Sequence, residues 1–313
     1  MSVHVVRPGA WTTVQDLGRP GWGASGVPPS GAMDELSFRA ANLLVGNDED
    51  AAALEITLGG LEVVFSAEHR CALVGAPVEA RIEGEPVHME RSFVIPAGAA
   101  LSIGTTRSGV RCYLAVAGGI DVPVALGSRS TFVAAGFGGL DGRALKTGDV
   151  LSVGPASRSP HDQRALASGA LPDTARETIL RVVRGPQEDA FTGEGIETFY
   201  SSSYRVSPRS DRAGVRLAGA PIELAGHADL DPEGVVTGSV QVPGDGMPIV
   251  LGPDRPATGG YVKVATVISA DLPVLAQARP GDTLRFMAVD VEDAREAYRE
   301  RLRVLHDGIE VLG

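Results

Sequence analysis

The 313-residue chain is 43% hydrophobic and 21% charged, the mixture of a folded globular protein long enough for two cores. Its formal charge of −11 excludes a broad basic surface for nucleic acid or anionic membrane. Many glycines (40) and prolines (21) against 5% aromatics favour short strands and turns over long helices.

In chain order, the opening "MSVHVVRPG" has no signal-peptide core and no later apolar run spans a bilayer, so the expected location is cytoplasmic. The first distinctive segment is "TVQDLGRPGWGASGVPPSGAMD" (13–34), rich in glycine and proline. Trp22, Val27 and Met33 are expected to bury, which makes it a long ordered loop, and such loops are disproportionately functional. Ser30 and Gly31 precede a helix predicted over 34–45, with Asp34 as its cap and Gly46 as its stop. Free N–H groups at such a helix start favour an anion, and the alternative is a loop that only covers a barrel end.

Strand-like runs follow: "LEVVF" (61–65), "CALVG" (71–75), "SFVIP" (92–96), "LSIG" (101–104) and "CYLAVAGG" (112–119). Cys71 and Cys112 lie within these runs and read as small buried hydrophobes. The stretch "PASRSPHDQRALASGALPDTARE" is polar, proline-dotted and without strand periodicity. It divides the chain into a β-barrel domain over 1–155, a linker over 156–177 and a second β-barrel domain over 178–313. "HVVRPG" opens the first half as "RVVRGP" opens the second, and "GDVL" near the first end is echoed by "GDTL" near the second. The expected fold is therefore mainly β: two related antiparallel β-barrels with a few short helices.

In the second half, "SSSYRVSPRSDRAGVRLAG" (201–219) gathers Arg205, Arg209, Arg212 and Arg216 on an acidic protein, with Arg212 beside Asp211 in a tight turn. "HADLD" (227–231) groups carboxylates with a histidine, but the Pro232-Glu233-Gly234 that follows is turn chemistry, and no metal is predicted. "GSVQVPGDGMPIVLGPDRPATGGYVKV" (238–264) then places Lys263 on an otherwise apolar strand face. A lysine there needs a counter-charge or an anionic ligand. Asp254 is either its structural partner or, with Gln241, a group that orients an amide. A last helix is predicted over 291–305. No phosphate loop of the G-x-x-x-x-G-K-[ST] kind, nucleophile elbow or Met-Lys biotin-attachment site occurs, so any biotin arrives on another protein.

"TVQDLGRPG", "GVPPSGAMD", "NLLVGNDEDAAALE", "YLAVAGGIDVP", "LGSRSTF", "SDRAGVRL" and "GMPIVLGPDRPATGGYVKVATVISADL" run collinearly along almost the whole chain. Together they resemble the family known as allophanate hydrolase subunit 2, as the C-type subunit of 5-oxoprolinase, or as biotin-dependent carboxyltransferase-type protein, whose members look like paired cyclophilin-like barrels. The resemblance implies a subunit of a multi-subunit hydrolase acting on carbon–nitrogen bonds of a small cyclic amide or urea-like compound, in partnership with a B-type subunit. The chemistry implied is ATP-dependent 5-oxoproline ring opening, or allophanate or urea-type hydrolysis or carboxyl transfer, with ATP used by the complex. It also implies catalytic Lys263, Asp254 and Arg212, and substrate-binding Gln15, Asp16, Arg19, Ser30, Gly31, Asp34, Asp211 and Gln241. Two departures stand out: "GPQ" (185–187) where Gly-Pro-His is expected, and "DPEG" (231–234) where Ser-Glu-Gly is expected. The rival reading is a regulatory binding protein that antagonises an inhibitor of a histidine kinase, as one relative does.

Overall fold

The structure is a computed structural model that describes residues 1–156, 163–173 and 177–312. The chain forms two compact units, Met1–Arg19 with Ser30–Leu171 and Arg303–Gly313, and Pro20–Pro29 with Pro172–Leu302. Residues 157–162 and 174–176 of the expected 156–177 linker lie outside the described residues. Within the same stretch a strand forms at Arg164–Leu166 and pairs with Ile309–Val311. Three residues are too few to show a period, so that pairing was hidden in the sequence.

In the first unit a seven-stranded sheet runs in the order Ile120–Asp121, Val150–Val153, Ser2–Pro8, Leu61–Phe65, Ala100–Ile103, Ala80–Ile82, Glu85–Val87. A five-stranded sheet runs Trp11–Gln15, Ala53–Thr57, Arg111–Val116, His69–Gly75, Ser92–Ile95. Leu61, Val63 and Phe65 alternate into the core, as the "LEVVF" pattern requires. Arg111–Val116 is buried along its whole length. Cys112, Leu114 and Val116 join the core, while Tyr113 meets Phe38 of the helix Glu35–Val45 edge to face at 5.9 Å. That helix begins at the Asp34 cap and ends at Gly46, whose φ of 76° suits glycine. Both cysteines are fully buried and unoxidised, and burial pushes the Cys112 thiol up to about 12.

In the second unit seven strands close on themselves: Glu177–Arg184, Thr283–Ala288, Tyr204–Val206, Gly214–Ala218, Ile249–Leu251, Ser239–Val242, Thr258–Val267, and back to Glu177–Arg184. Glu177–Arg184 and Thr283–Ala288 run parallel, and the other pairings of this ring are antiparallel. Closure leaves no free edge in the ring, and its core holds Leu180, Val182, Tyr204, Val240, Val262, Val264 and Phe286. The helix Gly193–Ser201 inserts Phe199, stacked on Phe286 at 4.6 Å. Asp229–Gly234 is an added strand on Thr258–Val267. The last helix spans Val291–Asp307. Among the described residues no helix is long and apolar enough to cross a membrane.

Of the three hydrophobes expected to bury in the 13–34 loop, Met33 does, but Trp22 stays 40% exposed. The turn around it is satisfied locally, Gly26 and Val27 donating to the Gly23 and Trp22 carbonyls.

Candidate functional site

Alternation on Thr258–Val267 sends Val262 and Val264 into the barrel core and Lys263 to the outer face. Gln241 stands directly opposite Lys263 on the neighbouring strand and so shares that face. Lys263 is nonetheless only 5% exposed. Its Nζ is ion-paired with Glu233 Oε1, from the added strand Asp229–Gly234. Gln187 completes the arrangement: its Nε2 donates to Glu233 Oε1 at 2.7 Å and its Oε1 accepts the Lys263 backbone N–H at 3.2 Å. The hydrogen bond from Lys263 holds the Glu233 carboxyl below its ordinary range, and that side chain keeps 44% of its surface open to solvent.

Two glycines make this approach feasible. A Cβ at Gly185 would stand 2.0 Å from the Lys263 carbonyl oxygen, so only glycine lets the turn carrying Gln187 reach the strand. A Cβ at Gly259 would stand 2.2 Å from Gln241 Nε2. The Gln241 amide thus fills the space that Gly259 leaves open. Gln241 is 5% exposed and its Nε2 has no hydrogen-bond partner among the described residues. A buried unpartnered donor costs about 1–3 kcal/mol, which an acceptor on a ligand would relieve.

The other candidates of this unit are placed differently. Arg212 donates to both oxygens of Asp254, Nε to Oδ2 at 2.7 Å and Nη2 to Oδ1 at 3.1 Å. Asp254 therefore is not the counter-ion of Lys263. The added strand, rather than the neighbouring loop in sequence, supplies Glu233 for that role. Asp211 caps its own turn, accepting from the Ala213 and Gly214 N–H groups at 2.8 and 3.1 Å. Arg205, Arg209 and Arg216 are exposed.

Gln15, Asp16, Arg19, Ser30, Gly31 and Asp34 belong to the first unit. Asp16 accepts from the Gly18 N–H at 2.7 Å, Ser128 Oγ at 2.6 Å, Ser130 Oγ at 2.5 Å and the Arg129 N–H at 2.5 Å. Arg19 donates to the Ser130 carbonyl and lies over the Phe137 ring at 4.8 Å. These two residues staple the 125–138 loop to the strand end. Gln15 donates to Thr13 Oγ1 and the Thr131 carbonyl, and its Oε1 is buried without a partner among the described residues. Ser30 adopts φ 53°, and its buried hydroxyl likewise has no partner among the described residues. Gly31, at φ 91°, would place a Cβ 2.9 Å from Gly18 N.

The helix start is occupied by the protein's own groups. Asp34 accepts from Ser37 N at 3.0 Å and Ser37 Oγ at 2.7 Å. The Met33 N–H and the Tyr113 hydroxyl donate to Glu55 Oε2 at 2.9 and 2.8 Å, and the Asp34 N–H donates to the Tyr113 hydroxyl. Burial and the Glu55 carboxylate push the Tyr113 phenol up. An anion at this turn would meet the carboxylates of Asp34 and Glu55, which already accept the Ser37 and Met33 N–H groups.

Sequence reasoning missed Glu55, Tyr113, Ser128 and Ser130, and it treated Gln187 and Glu233 only as departures from the family pattern. The signal for Glu55 was present: a carboxylate inside the apolar strand Ala53–Thr57 poses the same question that flagged Lys263.

Residues 25–288 match the family described as carboxyltransferase domain, subdomain A and B. The chain is 40% identical to the C-type subunit of 5-oxoprolinase from Escherichia coli, over 96% of both proteins. It is 37% identical to urea amidolyase of Lachancea kluyveri, over 97% of this chain but 18% of that one. The crystal structure of Kluyveromyces lactis urea carboxylase superposes with a TM-score of 0.92 and 35% identity, over 98% of this chain and 29% of that one. The match thus covers almost the whole of one relative and a single region of the far longer others. It belongs to the family of carboxyltransferase domains with subdomains A and B.

Proposed function

We propose that this chain is one subunit of a multi-subunit enzyme acting on a small cyclic amide or urea-like compound. The reaction is ATP-dependent 5-oxoproline ring opening, or hydrolysis or carboxyl transfer on an allophanate- or urea-type amide. The near-full-length likeness to the C-type subunit of 5-oxoprolinase and the regional likeness to urea amidolyases support this reading. We place the ATP use, and any biotin, on partner proteins, the B-type subunit first among them.

The observation that carries the proposal is the cluster of Lys263, Glu233 and Gln241 in the second unit. Amides react poorly because the nitrogen lone pair is delocalised, and both hydrolysis and N-carboxylation pass through species with more charge on oxygen. The unpartnered Gln241 Nε2 and the Lys263 ammonium are donors fixed in advance of that charge. The solvent-facing Glu233 carboxylate accepts the amide N–H and serves as the proton acceptor. Arg212 and Asp254, satisfied by one another, brace the loop that leads into the lysine strand.

The test is reconstitution. The purified chain alone should be inactive, and 5-oxoproline or urea should be consumed with ATP only after its B-type partner and the remaining subunits are added. Turnover by the isolated chain, or full activity of the assembly without it, would overturn the proposal.

A further inference from the structure

Arg255 follows Asp254 in the loop that leads into the lysine strand, and its surroundings are unusual for an arginine. It is half-buried, its Nε donates to the Val235 carbonyl at 3.1 Å, and its Nη1 is buried with no partner among the described residues. Among the described residues no carboxylate pairs with it. A guanidinium removed from water without a counter-charge is costly, and burial alone lowers its pKa here. Natural structures keep such groups where an anion completes them, and the planar fork of arginine suits a carboxylate.

A second unpartnered donor stands in the same neighbourhood. Val235, which Arg255 holds by its carbonyl, also flanks Gly259: a Cβ there would lie 3.1 Å from Val235 Cγ1 and 2.2 Å from Gln241 Nε2. Gly259 is in turn paired in register with Glu233. Val235 and Gly259 thus link two buried donor atoms, the cationic Arg255 Nη1 and the neutral Gln241 Nε2, neither with an acceptor among the described residues.

We propose that Arg255 and Gln241 form a carboxylate subsite beside the Lys263–Glu233 pair, so that the molecule bound there carries a carboxylate. This rests on the amide reading above for the rest of the ligand, but not for the carboxylate. Lys263 is already neutralised by Glu233, so the charge left to recruit an anion is that of Arg255. The carboxylate comes either with the amide itself, as in 5-oxoproline, or as a one-carbon carboxyl species such as bicarbonate.

Calorimetry on the full chain with three probes separates these cases: 5-oxoproline, 2-pyrrolidinone (the same ring without the carboxylate) and bicarbonate. The native chain should bind 5-oxoproline at least ~10-fold more tightly than 2-pyrrolidinone. Arg255→Gln should abolish that preference and leave 2-pyrrolidinone binding unchanged, while Arg255→Lys, which keeps the charge, should retain part of it. Arg255→Gln should also be no less stable than the native chain, because it removes an uncompensated cation; if it fails to fold, the Arg255→Lys comparison decides, a preference unchanged by the loss of the fork counting against the subsite. Arg255-dependent binding of bicarbonate with no binding of either ring supports the subsite and overturns the cyclic-amide branch of the reading, leaving the urea-type branch. Equal binding of the two rings, or 5-oxoproline binding untouched by Arg255→Gln, overturns the subsite and leaves the amide reading standing. Binding of neither carboxylate overturns the subsite as well.

Discussion

A carboxylate that accepts four short hydrogen bonds, as Asp16 does from Gly18, Ser128, Arg129 and Ser130, is committed to holding loops together. Asp16→Ala strips the acceptor from buried donors and should cost about 3 kcal/mol or more of unfolding free energy, read from denaturant midpoints. Any loss of activity should follow the folded fraction. Gly259→Ala makes the contrasting case: the new methyl displaces the Gln241 amide, so binding of a small amide should fall by roughly 10-fold or more with only a modest stability change. A third residue sets a pH response. His69 is buried, its Nε2 has no partner among the described residues, and burial lowers its pKa from the ordinary 6.5. The unfolded chain then takes up the proton more readily, so the contribution of neutral His69 is complete above about pH 6.5 and is lost as pH falls through its lower folded value. Midpoints measured between pH 7.5 and 5.5 should decline, and His69→Gln should flatten that decline.

At the scale of elements, the strand Thr258–Val267 was legible in the sequence: its alternation separates Val262 and Val264 from Lys263 without any structure. The partner of that lysine was not. The strand pairing with Ser239–Val242 contains a register shift between Val240 and Gln241, and the strand that supplies Glu233 has another between Asp229 and Glu233. Irregular pairings of this kind leave no period to read, and "DLDPEG" looks like turn chemistry because that is what its composition favours. The helix Glu35–Val45 was legible for the opposite reason, since its cap, apolar face and terminal glycine are all local. The stack of Phe199 on Phe286 joins elements far apart in sequence and shows only in the fold. Phe199 is fully buried, so Phe199→Ala should cost about 3–5 kcal/mol, measured as a shift of the unfolding midpoint.

For the whole molecule, composition and turn residues were enough to expect a mainly β protein, and the closed seven-stranded ring with few helices agrees. The expected catalytic residues remained a proposal, because a lysine on an apolar face announces a partner without naming it. The central claim is that Lys263 serves the ligand and not the fold, and Lys263→Met in the assembled complex tests it most directly. Methionine keeps most of the length and removes the charge, and the Glu233 left behind is open enough to water to tolerate the loss. The account predicts that the assembly still forms, that its unfolding midpoint moves little, and that kcat/KM for the amide drops by roughly 100-fold or more. A well-folded Lys263→Met complex with near-native kcat/KM would contradict it.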